Sequence, residues 1–271
     1  MARLKNERGR QLTLKPVRPN VGIRAAYRRK LARLIDDMID DYDRAIRRAY
    51  KRDEPAVAKL AADALASNAL KRAIKKLAKT WNDRFDDAAD KLAAYFSRSV
   101  SQRSDRSLQK ILRDGGFSVK FKMTHAMQDV LNATVAENVA LIRSIPEEFH
   151  TALEGIVMRS VTVGRDLSAL TQTLEKRYGL TRNRAAFIAR DQNNKATANF
   201  TRVRQLEMGI TEAIWLHSAG GRKPRPTHVK NSGQKYDVAK GWYDPAVKAF
   251  IYPGFLPNCR CVSKPLIRGF S

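Results

Sequence analysis

The 271 residues suffice for a sizeable core, and 43% apolar with 29% charged residues is the balance of an ordinary soluble protein of one or two domains. The charge is unusual: 52 Lys plus Arg against 27 Asp plus Glu leave +25, a field that draws polyanions, chiefly nucleic acid or an anionic membrane surface. No apolar run approaches the roughly eighteen residues of a membrane span, residues 1–10 lack the apolar centre of a signal peptide, and two cysteines separated by one residue exclude a disulfide framework.

Synthesis in the cytosol and reduced thiols are therefore expected. Residues 1–20 carry six basic residues and one acid, with Pro16 and Pro19 and little apolar content. They read as a flexible basic arm whose Arg3, Lys5, Arg8 and Arg10 contact DNA phosphates, or else as a solvated tail. From about residue 22 an amphipathic helix is marked by Tyr27, Leu31, Leu34, Ile35, Met38, Ile39, Tyr42 and Ile46 at three-and-four spacing. Its acidic cluster Asp36, Asp37, Asp40, Asp41 and Asp43 lacks the glycine turn and ligand order of a calcium loop, so it reads as a solvated face.

Pro55 suits a helix start, and Leu60, Leu65, Leu70, Ile74, Leu77, Trp81, Phe85, Leu92 and Phe96 predict one or two long helices to about residue 100. Lys71, Arg72, Lys75, Lys76 and Lys79 form a basic stripe there, a second candidate for DNA phosphates. Ser104 is placed to cap a short helix through Leu112, Asp114-Gly115-Gly116 breaks it, and 117–123 reads as a brief strand. A helix over about 125–142 is expected to stop near Pro146, where Pro146-Glu147-Glu148 begins another to about 162. His125 and His150, far from other ligand types, read as surface or capping residues. Gly179 is expected to end a helix that begins after Asp166, and Thr181 to cap one running to Met208 and closed by Gly209. Within it the polar run from Arg190 to Lys195 reads as the face tying the helical part to the C-terminal part, with a DNA-facing row as the alternative.

After Gly209 the period changes. Residues 211–216 read as a strand, 235–238 and 261–267 as weaker ones, and sixty residues are few for a core. A metal staple would help: His217, His228, Cys259 and Cys261 supply the two imidazoles and two thiolates of a closed tetrahedral structural zinc site. The alternative is that the cysteines are small buried residues and the histidines lie at the surface. His217 and His228 amid Arg222, Lys223, Arg225 and Lys230 also raise a general acid–base pair acting on a phosphodiester. However, there is no carboxylate cluster for paired metals, no phosphate loop and no Gly-x-Ser-x-Gly, and the expectation is that the chain is not an enzyme.

The stretch from Arg184 to Gln192, the helix end Glu207-Met208-Gly209-Ile210, Trp215, Arg225-Pro226-Thr227-His228, Asn231-Ser232-Gly233 and Pro257-Asn258-Cys259-Arg260-Cys261 stand in a telling order. In that order they resemble the phage Mu F-like head morphogenesis family, the minor head proteins of tailed phages, over residues 165–270. The resemblance marks Arg190, Trp215, Arg225, His228, Cys259, Arg260 and Cys261 as the module's core and motif residues. It also implies that Arg225 and His228 stand where many relatives carry Cys-x-x-Cys, so that His228 replaces one ligand and Arg225 loses another. By the same resemblance the chain is a minor capsid protein, assembled in the host cytoplasm without a membrane and located in the capsid interior near the portal. Its partners are then the portal protein or major capsid protein and the genomic double-stranded DNA. The fold expected is mainly α with a small α+β C-terminal module: arm 1–20, elongated helical body 21–180, module 181–271. A phage nuclease or toxin-like enzyme, and a generic helical nucleic-acid-binding protein, are the alternatives.

Overall fold

The computed structural model describes residues 10–52, 60–162, 167–221 and 223–270. Arg3, Lys5, Arg8, Pro55, Asp166 and Arg222 fall outside them. The chain is mainly helical: α1 (Val21–Arg52), α2 (Leu60–Asp114), α3 (His125–Thr162) and α4 (Leu167–Glu207) precede a small β region with the short helix α5 (Pro226–Lys230). The strands are β1 (Arg10–Thr13), β2 (Glu212–Leu216), β3 (Lys235–Asp237), β4 (Trp242–Asp244), β5 (Ala249–Ile251) and β6 (Val262–Phe270).

Burial explains why the helices run longer than their breaker residues predict. In α1 the fully buried Tyr27, Leu31, Ile35, Met38 and Tyr42 repeat every three or four residues, as the sequence pattern requires. α2 passes Ser104 without a break because Phe96, Val100, Leu108 and Leu112 keep one face buried. Pro146 lies inside α3, correcting the expected stop there. One lost backbone hydrogen bond and a ring clash cost about 3 kcal/mol, and the flanking Ile142, Ile145, Phe149 and Leu153, all fully buried, are each worth about 1.5–3 kcal/mol. Gly179 does not end a helix either: α4 continues through it, with Tyr178 and Thr181 buried on either side and a cost of only about 1 kcal/mol against alanine. Gly116 (φ 90°) and Gly209 (φ 75°) do terminate helices, each followed by a residue whose N–H reaches back five positions, Phe117 to Leu112 O and Ile210 to Gln205 O.

The chain folds as two compact units that do not follow the expected boundaries at 20/21 and 180/181. One takes in Met1–Arg24, Ala94–Ala136 and Ala189–Ser271; the other Ala25–Ala93 and Glu137–Ile188. In the second, Tyr42, Phe149, His150 and Tyr178 form an aromatic cluster, with Tyr42 and Phe149 edge to face at 5.3 Å. His150 is buried and its Nε2 has no hydrogen-bond partner among the described residues, so it is not a surface residue; burial lowers its pKa to about 4. His125 is exposed, and the N-terminal turn of α3 is capped by Thr124 Oγ1, which accepts from Met127 N at 3.2 Å.

The first unit holds the sheet, in strand order β1-β6-β2-β3 and antiparallel throughout, with β4–β5 as a separate antiparallel pair. Thus Arg10–Thr13 are not part of a flexible arm: Leu12 pairs with Ile267 and Thr13 with Leu266, and Leu14 and Val17 are buried beside Leu108, Leu112, Met208, Ile210 and Ile267. The segment 117–123 alternates as a strand would, and Phe117, Val119 and Phe121 pack on that cluster, but no described strand pairs with it. Arg204 closes this corner. Its guanidinium, 3% exposed, binds Asp105 through Nε and Nη2 (2.9 and 2.8 Å) and Glu207 Oε2 and Lys122 O through Nη1 (2.8 and 2.9 Å). Phe121 lies against its plane, 4.7 Å from ring centroid to Cζ.

Candidate metal centre

Three short pieces of the C-terminal module converge behind Trp215. β2 places that fully buried indole in the sheet, with His228 at 5.0 Å, Trp242 at 5.4 Å and Tyr236 at 6.0 Å between ring centroids, all edge to face. α5, begun by Pro226 at its first turn, carries His228 inward, and the turn before β6 brings Cys259 and Cys261. Gly254 makes that approach possible: its φ is 85°, and a Cβ there would stand 2.7 Å from Ala198 Cβ on α4.

The ligand atoms of His228, Cys259 and Cys261 lie within 4.8 Å of one another, and all three residues are buried. His228 Nδ1 is 3.5 Å from Cys259 Sγ and 3.6 Å from Cys261 Sγ, and His217 Nδ1 is 3.6 Å from Cys261 Sγ. A metal bound to sulfur at about 2.3 Å and imidazole nitrogen at about 2.1 Å with tetrahedral angles separates those atoms by about 3.6 Å, so the spacing fits a shared ion. His217, half-buried at the end of β2, stands on the Cys261 side of the mutual trio. Three of the four sequence-predicted ligands are thus gathered and the fourth adjoins them.

The surroundings favour thiolate. Backbone N–H groups of Cys261 and Gly254 stabilise charge on Cys259, and that of Ser218 does so on Cys261. The indole of Trp215 also favours charge on Cys261, and its Nε1 is buried with no partner of full hydrogen-bond geometry. Without metal the two sulfurs share a proton unequally: Cys259 is lowered, first by Cys261 and less by His228, while donation to Cys259 and burial push Cys261 up. On the far side of His228, Nε2 is 3.3 Å from Oδ2 of the fully buried Asp244, within ion-pair reach although not aligned as a hydrogen bond. Thr227 Oγ1 donates to the same carboxylate oxygen at 3.2 Å and Ala246 N to the other at 3.0 Å. A carboxylate behind a ligating imidazole orients the ring and raises its basicity. Sequence reading missed Asp244, since a lone acid in a three-residue strand carries no local signal.

The polar run on α4 holds the cysteine turn. Arg190 Nη2 donates to Asn258 Oδ1 at 3.0 Å, Asp191 accepts from Asn258 N, and Asn194 Nδ2 donates to Cys259 O at 3.2 Å. These contacts are those of the tying face expected from the sequence. Arg225 Nη2 donates to Pro257 O at 2.9 Å and so braces the same turn. Arg260 Nη1 bonds Gly220 O. Lys71, Arg72, Lys75, Lys76 and Lys79 are all exposed on α2, while Arg10 contributes backbone to β1.

The family model described as Phage Mu protein F like protein matches residues 151–264. Residues 151–264 are thus similar to Phage Mu protein F like proteins. That segment starts within α3 and includes α4, the Trp215 strand and every residue of the candidate metal centre. An uncharacterized protein of Haemophilus influenzae is 29% identical over 269 residues, 97% of this chain and 58% of its own length, so the chain spans little more than half of that relative. No solved structure matches the chain. Among the described residues no helix is long and apolar enough to cross a membrane.

Proposed function

We propose that the chain is a phage minor head protein that attaches to the portal or the inner capsid surface and holds packaged double-stranded DNA by nonspecific phosphate contacts. The observation that carries this reading is the Phage Mu protein F-like match over residues 151–264. The +25 charge and the exposed Lys71–Lys79 stripe supply what a DNA-filled interior requires. Arg3, Lys5, Arg8 and Arg10 add to that charge. A zinc ion held by His228, Cys259 and Cys261, with His217 as fourth ligand, staples the module, whose own core around Trp215 is small. The nuclease alternative is disfavoured by one feature: His228 is 2% exposed, with its two ring nitrogens directed at the cysteines and at Asp244, and offers no nitrogen to a phosphodiester.

The test is incorporation into heads. The wild-type chain is expected in purified particles together with portal protein. Trp215→Ala removes the central side chain of the module core at a cost of about 3–5 kcal/mol. That variant is expected to be expressed, to keep most of its helical signal and to be missing from particles. Wild type absent from heads, or found cutting nucleic acid in infected-cell cytoplasm, would defeat the proposal; equal incorporation of the variant would move attachment to the helical part.

A further inference from the structure

Arginines crowd the turn that carries the cysteines. Asn258, in the left-handed region at φ 63°, is gripped by Arg190 and Asp191 of α4, and Arg260 follows two residues later with its guanidinium on the Gly220 carbonyl. Arg24 arrives from α1. Asn20 caps that helix, accepting from Ile23 N at 2.9 Å, and its carbonyl accepts from Asn193 Nδ2 at 3.2 Å, which docks the first turn of α1 beside the turn of α4 that bears Arg190.

Positive charge is in excess here. Arg24, Arg190 and Arg260 are each half-buried, and Arg24 and Arg260 form no ion pair among the described residues. Asp191 is the carboxylate set against them. Arg190 is held below the ordinary arginine value by desolvation, then by Arg260 and Arg24. The first turn of α1 carries no acid, so its positive dipole end adds to the same potential. The Asn258 amide and the Gly220 carbonyl satisfy N–H donors but neutralise no charge. Such an arrangement is costly in the free protein and favourable once an oxyanion enters, and the planar guanidinium fork matches phosphate oxygens in pairs.

We propose that Arg24, Arg190 and Arg260 form a preformed site for a DNA backbone phosphate, placed where α1 begins and braced against the cysteine turn. The inference rests on the DNA-contact part of the proposed function. DNA is the occupant that the overall charge favours, because +25 concentrates polyanions at the surface before any local contact is made.

The experiment uses the full chain and a fluorescent duplex, with binding followed by anisotropy between 50 and 200 mM salt. Arg24→Gln and Arg260→Gln are each expected to reduce the slope of log affinity against log salt by about 1, and the double variant by about 2, with melting temperature unchanged. Arg24→Lys and Arg260→Lys are expected to keep the wild-type slope. If wild type binds and the double Gln variant matches it in slope and affinity, the DNA reading stands and this site falls. If wild type does not bind the duplex at 50 mM salt, both fall. Lys variants that lose slope as the Gln variants do would assign the arginines a purely structural role and overturn the site. Inorganic phosphate that displaces duplex from wild type at matched ionic strength, but not from the double variant, would make the occupant free phosphate and overturn the DNA assignment.

Discussion

His228 and Asp244 face one another inside the module with 3.3 Å between Nε2 and Oδ2, and neither side chain reaches solvent to more than a few per cent. With the proton on Nε2, beside that carboxylate, Nδ1, the nitrogen turned to both sulfurs, is the electron-pair donor to a metal.

Purified protein is therefore expected to contain about one equivalent of zinc. Asp244→Asn should weaken zinc affinity by about 10- to 100-fold in a chelator competition, the usual effect of removing a carboxylate behind a ligating histidine. Cys259→Ser should lower both metal content and melting temperature, because structural metal binding is folding free energy. Metal-free protein whose melting temperature ignores Cys259→Ser would end the zinc assignment.

Arg204 gives a prediction independent of metal. Among the described residues, Asp105→Ala leaves a guanidinium that is 3% exposed with only Glu207 as carboxylate partner, and a broken buried pair costs about 3–5 kcal/mol. Replacing the whole ion group with apolar residues, Arg204→Met with Asp105→Leu and Glu207→Leu, should cost much less than the sum of the single changes. Urea unfolding decides it, and a single-variant loss below about 1 kcal/mol would contradict the account.

His150 makes stability depend on pH. An unfolded chain takes up the proton near pH 6.5 and the folded chain near pH 4, so unfolding binds a proton between those values and stability falls as pH falls through that window. The full difference is about 3 kcal/mol at pH 4 and nothing above about pH 7. His150→Leu should remove that slope, seen as a wild-type-minus-variant difference in urea midpoints across the range. A pH-independent difference would show that His150 is not the group responsible.

For DNA, about six neutralised phosphates predict a slope near −5 for log affinity against log salt, or roughly three decades between 50 and 200 mM. Lys75→Gln and Lys79→Gln in the exposed stripe should each reduce that slope by about 1, with no change in preference among duplexes. Salt-independent binding, or strong sequence discrimination, would count against phosphate contacts.

Helical periodicity, the glycine stops at Gly116 and Gly209 and the Trp215 strand were legible in the sequence because each is a local pattern, and the residue types of His228, Cys259 and Cys261 suggested the cluster that the fold brings together. Pro146 and Gly179 misled because their costs are local while the burial that overrides them is not. β1 was missed because Arg10–Thr13 looks polar and short, and only its pairing with residues over 250 positions away makes it a strand. Asp244 and Arg204 were invisible for the same reason, their partners being distant in sequence or placed by the fold. The cysteine pair was legible as chemistry, but its brace by Asp191 and Asn194 required the turn of α4 to be known.

The position of β6 in the sheet has a consequence during translation. It lies between β1 and β2, pairing Thr13 with Leu266 and Ala213 with Pro265, so neither neighbour gains that ladder until the last strand has emerged from the ribosome. The unit made of Ala25–Ala93 and Glu137–Ile188 is fully synthesised before residue 189 and is free to fold first. At a few to about twenty residues per second, the nascent chain then spends several seconds with β1 and one edge of β2 unpaired. Unpaired edges are templates for joining another chain, so ribosome stalling between β2 and β6 should favour aggregation far more than stalling within α1 or α2.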